Sequence, residues 1–98
     1  MLWRKTALLN ILKQLVTDKN ILVLGYGREG RSTLRRLLQT GAYASLAVAD
    51  QSEISPDAPS VKVLSGPAYM DCLDDYDLVF KSPGIVLPKD PSEYRCRF

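Results

Sequence analysis

Residues 21–30 constrain the fold of this chain more than any other stretch. Ile21-Leu22-Val23-Leu24 is an unbroken apolar run, and Gly25-Tyr26-Gly27-Arg28-Glu29-Gly30 follows it directly. A short run without polar alternation predicts a strand buried on both faces, as inside a parallel sheet. Three glycines spaced G-x-G-x-x-G after such a strand, with Leu34, Leu37 and Leu38 then recurring at helical spacing, predict a strand–loop–helix unit. In such a unit Gly25 permits the tight turn, Gly27 lets the backbone approach a phosphate, and Gly30 lets the helix pack close to the sheet. The helix start offers free N–H groups and partial positive charge to an anion, and Arg28 and Arg31 add to it. Gly41 is placed to close the helix in a left-handed conformation.

The remaining pattern extends this unit. Leu46-Ala47-Val48-Ala49 is a second apolar run ending at Asp50. A polar loop over 51–60 with Pro56 and Pro59 leads to a third strand at Val61-Lys62-Val63-Leu64. A short helix is expected over 68–75, then a fourth strand at Leu78-Val79-Phe80 that stops at Lys81-Ser82-Pro83-Gly84. Ahead of all this, residues 3–17 read as an amphipathic helix with Leu8, Ile11, Leu12 and Leu15 on one face. Packing on the domain is the expected use of that face, and docking a partner is the alternative. Strands alternating with helices predict an α/β, Rossmann-like three-layer domain whose mostly parallel sheet has the order 3-2-1-4.

At 98 residues the chain fits one small domain over 1–98, with a core at 20–88 and a tail at 89–98. Pro88 and Pro91 argue against a helix in the tail, which reads as a truncation end. Thirteen basic against eleven acidic residues leave a net charge of +2, too little to indicate nucleic acid. Arg35 and Arg36 are read as a solvated helix face. Cys72 and Cys96 lie outside any C-x-x-C pattern and there is no histidine, so neither a metal site nor a disulfide framework is expected. The interrupted apolar stretch near the N-terminus makes neither a signal peptide nor a spanning helix, and a cytoplasmic protein is expected.

Two further positions draw attention. Asp50 lies 20 residues after Gly30, where dinucleotide enzymes place an acid that accepts from a ribose. Capping the following loop is its other reading. Ser82-Pro83-Gly84 ends the fourth strand and should face the Gly25–Gly30 loop, because ligands of open parallel sheets lie beyond the strands' carboxyl ends. No G-x-x-x-x-G-K-[ST] loop is present to cradle ATP, and no acid–base pair marks a catalytic centre. Ser32, Thr33 and Cys72 are read as structural.

Together these segments resemble one family. Residues 21–33, ILVLGYGREGRST, look like the first strand–loop–helix of the UDP-N-acetylmuramoyl-L-alanine:D-glutamate ligases, and Asp77-Leu78-Val79-Phe80-Lys81-Ser82-Pro83-Gly84-Ile85 looks like their D-L-V-V-x-S-P-G-I segment. The resemblance covers roughly residues 20–88 and implies an N-terminal domain that holds the UDP end of the substrate. It places Gly27, Arg28 and Glu29 by the diphosphate and uridine, Asp50 and Gln51 by the uracil, and Ser82 and Gly84 on the second loop of the site. With Gly25, Gly30 and Pro83 these make up the expected nucleotide site. The full enzyme adds central and C-terminal domains that bring ATP, magnesium and the catalytic lysine. None of these carries over to the present residues, so this chain alone is expected to bind no cofactor. The tail from Ser92 to Phe98 matches nothing in the family's pattern. The readings from other classes are a nicotinamide- or flavin-dinucleotide domain of an oxidoreductase and a non-enzymatic interaction module built on the 3–17 helix.

Overall fold

The computed structural model describes residues 2–56, 58 and 60–98, with side-chain surroundings given from residue 9 onward apart from 57 and 59. Helix α1 (Leu2–Val16) is followed by β1 (Asn20–Leu24), α2 (Arg28–Thr40), β2 (Ser45–Asp50), β3 (Lys62–Ser65) and β4 (Leu78–Lys81). The four strands form one sheet in the order β3-β2-β1-β4, and every pairing is parallel. This is the expected α/β Rossmann-like arrangement, including the strand order.

β1 lies at the centre because its residues suit nowhere else. Ile21, Leu22, Val23 and Leu24 are all buried, and a fully buried side chain of this size contributes about 1.5–3 kcal/mol relative to an exposed one. Alternation along the strand sends them to two cores. Ile21 and Val23 join Leu46, Val48 and the helix residues Val16, Leu34 and Leu37 on one face. Leu22 and Leu24 join Ala47, Ala49, Val79, Leu73 and Cys96 on the other. Both helices therefore cover one face, and irregular chain covers the other.

That irregular layer corrects the expected helix at 68–75. Residues 67–72 form turns, and only Leu73–Asp75 make a single 3₁₀ turn. The backbone bonds run from Tyr69 to Gly66, Asp71 to Ala68, Asp75 to Cys72 and Tyr76 to Leu73, all spanning three residues. Gly66 takes a φ of +103°, which turns the chain as it leaves β3 and opposes helix nucleation there. The segment is held by Leu73 in the second core, not by helical hydrogen bonds.

The inward face of α1 is also corrected. Leu12 and Val16 pack into the first core, whereas Ile11 and Leu15 are each 56% exposed. Because leucine and isoleucine occupy so many positions of this helix, two apolar stripes compete, and Val16 decides between them by filling the corner beside Ile21 and Leu37. At the other end of the chain, Asp90 caps a 3₁₀ turn over Pro91–Glu93. The backbone of Arg97 then makes an isolated parallel bridge to Leu78, donating to the Asp77 carbonyl at 3.0 Å and accepting from Val79 at 2.7 Å.

The two edges of the sheet differ. At the amino edge, the Asn20 N–H donates to the Asp77 carboxylate at 2.8 Å, and the Ser45 hydroxyl donates to the Asn20 side chain at 2.7 Å. These contacts tie β1, β2 and β4 together. The carboxyl edge carries the loops and lies open.

Candidate functional site

At the carboxyl edge the β1 ladder continues into two loops. The Gly25 N–H donates to the Ala49 carbonyl at 2.7 Å, and the Ser82 N–H donates to the Leu24 carbonyl at 3.0 Å. Gly25 has a φ of +93°, and a Cβ built there would come within 2.6 Å of the Ile85 Cδ1 and 2.8 Å of the Ser82 Oγ. Glycine is thus required twice over, by conformation and by the second loop lying against it. A Cβ at Gly30 would overlap the Gly25 carbonyl oxygen, so the first turn of α2 sits directly on the loop. Gly27 differs: a Cβ there meets nothing within 4 Å. Gly27 is also one of the residues lining the groove between the two loops.

α2 starts without a side-chain cap at Gly27, and its first backbone bond runs from Arg31 to Gly27. The N–H groups preceding Arg31 have no partner within the helix and form its positive pole. Glu29 in that first turn offsets the charge of Arg28, and both are exposed. The helix start therefore presents backbone N–H groups more than net side-chain charge.

Asp50, at the end of β2, holds the first loop in place. One carboxylate oxygen accepts from the Tyr26 N–H at 2.6 Å and the other from the Ser52 N–H at 2.9 Å. The loop-capping reading of Asp50 is thus realised, and each oxygen keeps a further lone pair for a ligand. Lys81, which the sequence reading passed over, performs the matching task on the second loop. Its ammonium donates to the carbonyls of Ser82 at 3.1 Å and Ile85 at 2.9 Å. Ser82-Pro83-Gly84-Ile85 is a turn closed by a bond from the Ile85 N–H to the Ser82 carbonyl at 3.1 Å.

Between the loops lies an open groove of about 460 Å³, lined by Gly25, Gly27, Arg28, Glu29, Asp50, Gln51, Ser52, Tyr69, Ser82 and Ile85. Seven of these were expected from sequence. Gly30 and Pro83 border a neighbouring hollow with Phe80, Lys81 and Phe98, and Gly84 is exposed on the turn. Ser52, Tyr69 and Ile85 were missed. Ser52 and Ile85 adjoin named motifs, but Tyr69 reaches the groove from the crossover between β3 and β4 and carried no spacing signal.

Among the described residues no group of three or more His, Cys, Asp or Glu side chains converges. No described helix is long and apolar enough to cross a membrane. The two cysteines are free, with Cys96 buried and Cys72 half-buried. Burial pushes both thiols above their ordinary pKa, and nearby aspartates add to the shift. Both are therefore neutral at pH 7 and poor nucleophiles. Iodoacetamide should label the native chain at pH 7 several-fold more slowly than the urea-unfolded chain, with the native rate rising as pH increases. Native labelling as fast as unfolded labelling would contradict this burial.

An open parallel sheet with a glycine loop and an uncapped helix start at its carboxyl edge defines a Rossmann-like α/β protein, and the groove lies where that class of fold generally places a ligand. The chain is 33% identical over 75 residues to the UDP-N-acetylmuramoylalanine--D-glutamate ligase of Staphylococcus epidermidis, a stretch covering 69% of this chain and 16% of that enzyme. The ligase of the same name from Enterococcus faecalis is 32% identical over 82 residues, covering 76% and 18%. That of Pseudomonas savastanoi pv. phaseolicola is 36% identical over 80 residues, covering 74% and 17%. No protein-family model matches the chain, and no solved structure matches it significantly. By these relatives the chain is similar to one segment of the UDP-N-acetylmuramoylalanine--D-glutamate ligases and spans about a sixth of their length.

Proposed function

We propose that this chain holds the uridine diphosphate end of UDP-N-acetylmuramoyl-L-alanine, as the N-terminal part of an ATP-dependent D-glutamate ligase of peptidoglycan synthesis in the bacterial cytoplasm. The observation that carries the proposal is the groove itself. It brings the glycine loop, the uncapped start of α2, Asp50-Gln51 and Ser82 onto one open surface. The diphosphate would lie on the N–H groups around Gly27 and Arg28, with the Ser82 hydroxyl opposite. The uridine would lie toward Asp50 and Gln51. Chemistry would fall to central and C-terminal domains like those of the longer relatives, together with ATP and magnesium. The groove has a single pair of carboxylates, Glu29 and Asp50, and Asp50 is already bound to two N–H groups.

The test is a titration of the 98-residue chain with UDP, NADH and ATP side by side. Only one end of the substrate finds contacts here, so a Kd of about 0.1 mM or weaker is expected for UDP, near −5.5 kcal/mol. Tighter binding of NADH than of UDP would favour a dinucleotide domain instead. Gly27→Val supplies the site-specific arm. Its Cβ enters open space, so the fold should stand while the groove fills and UDP binding disappears. A folded Gly27→Val chain that binds UDP like the unsubstituted one would place the phosphates elsewhere.

A further inference from the structure

We propose that Tyr69 is the base platform of this groove, its ring stacking on the pyrimidine of the bound nucleotide. The inference rests on the nucleotide reading above and goes beyond it by naming the residue that selects for a base at all. The parallel register sets Asp50 opposite Ser65. The turn that begins at Gly66 therefore leaves the sheet at the carboxyl edge, beside Asp50-Gln51-Ser52. The left-handed Gly66 and the bond from the Tyr69 N–H to the Gly66 carbonyl at 3.2 Å fold the chain back over that edge.

Tyr69 is half-buried, packs against the second core and also lines the groove. The residue thus bridges the second core and the groove. It is the one aromatic residue among those lining the groove, and Tyr26 lines instead a separate hollow between α2 and the loop that follows β2. The arrangement divides the work of recognition. The N–H groups near Gly27 suit phosphate, the Asp50 carboxylate and Gln51 amide suit the polar edge of a base, and a flat π-surface beside them suits its face. A phenolic ring orders only two torsions on binding, so it offers stacking area at low entropic cost.

The experiment compares UDP binding to the unsubstituted chain, Tyr69→Phe and Tyr69→Leu by NMR titration, with circular dichroism confirming the fold. Stacking predicts that Tyr69→Phe stays within about twofold and that Tyr69→Leu, which keeps apolar bulk, binds roughly tenfold more weakly. It also predicts upfield ring-current shifts of the uracil H5 and H6 protons on binding the unsubstituted chain, with cross-relaxation to the Tyr69 ring. That readout decides the matter even if Tyr69→Leu fails to fold. Binding of UDP without those shifts, or equal weakening by Phe and Leu, would overturn the platform and leave the nucleotide reading intact. Failure of the unsubstituted chain to bind UDP would overturn both.

Discussion

Gly30→Ala should destabilise the chain by roughly 3 kcal/mol, the upper end of the usual cost of overpacking. Helix propensity alone points the opposite way, because alanine inside a helix is favoured over glycine by about 1 kcal/mol. The structure reverses the sign: the new Cβ would overlap the Gly25 carbonyl oxygen. Neither backbone segment can rotate aside, since Gly25 is tied to Ala49 and α2 is anchored through Leu34 and Leu37. For a domain whose total stability is on the order of 5–10 kcal/mol, such a loss lowers the urea midpoint by more than ~1 M. Gly27→Ala is the control. It lies three residues away in the same motif, its Cβ meets nothing within 4 Å, and its midpoint should move little. Equal midpoints for Gly30→Ala and the unsubstituted chain would mean that α2 does not sit on the loop as described.

The contrast between these two glycines shows what the sequence carried and what it did not. G-x-G-x-x-G after an apolar run sufficed to place a strand, a loop and a helix, because each glycine answers a local demand. Strand order was legible for the same reason: apolar runs at 21–24, 46–49 and 78–80 leave few ways to satisfy parallel pairing. Local arguments failed where two solutions had similar local cost. In α1, the stripes through Ile11 and Leu15 and through Leu12 and Val16 are equally apolar, and only the position of Val16 over the sheet separates them. At 68–75, apolar Met70, Cys72 and Leu73 resemble a helical face, yet the left-handed Gly66 and a run of three-residue hydrogen bonds built turns.

The site divides in the same way. The residues expected for the site lie at strand ends, on the loops that follow them or in the first turn of α2, where topology fixes location before any contact is known. Lys81 and Tyr69 escaped notice because their roles depend on where side chains travel. Lys81 reaches along its own loop to two carbonyls, and Tyr69 crosses from a connection that the sequence assigned to a helix. Neither role has a spacing that could have announced it.

Asp50→Ala is expected to lower both stability and nucleotide binding, and the structure separates two reasons for it. The carboxylate joins the Tyr26 N–H to the Ser52 N–H across 26 residues of chain, and hydrogen bonds to a charged group contribute roughly 1.5–3 kcal/mol each. Partial exposure places both near the low end of that range, so Asp50→Ala should cost about 2–3 kcal/mol of stability. Asn, which keeps one oxygen acceptor, should cost about half as much, as urea unfolding would show. A loosened loop alone would weaken every ligand of the groove by the same factor. Base recognition adds something a loose loop cannot imitate. If a remaining lone pair of Asp50 accepts from the uracil N3–H, N3-methyl-UDP should bind the unsubstituted chain at least tenfold more weakly than UDP. Asp50→Ala should then remove most of that difference, whereas 2′-deoxy-UDP should lose less in the unsubstituted chain. Preservation of the gap between UDP and N3-methyl-UDP in Asp50→Ala would assign Asp50 to the loop alone. Loss of binding by the deoxy compound with the methylated one unaffected would mean that the carboxylate reads the sugar, as in a dinucleotide domain, and not the base.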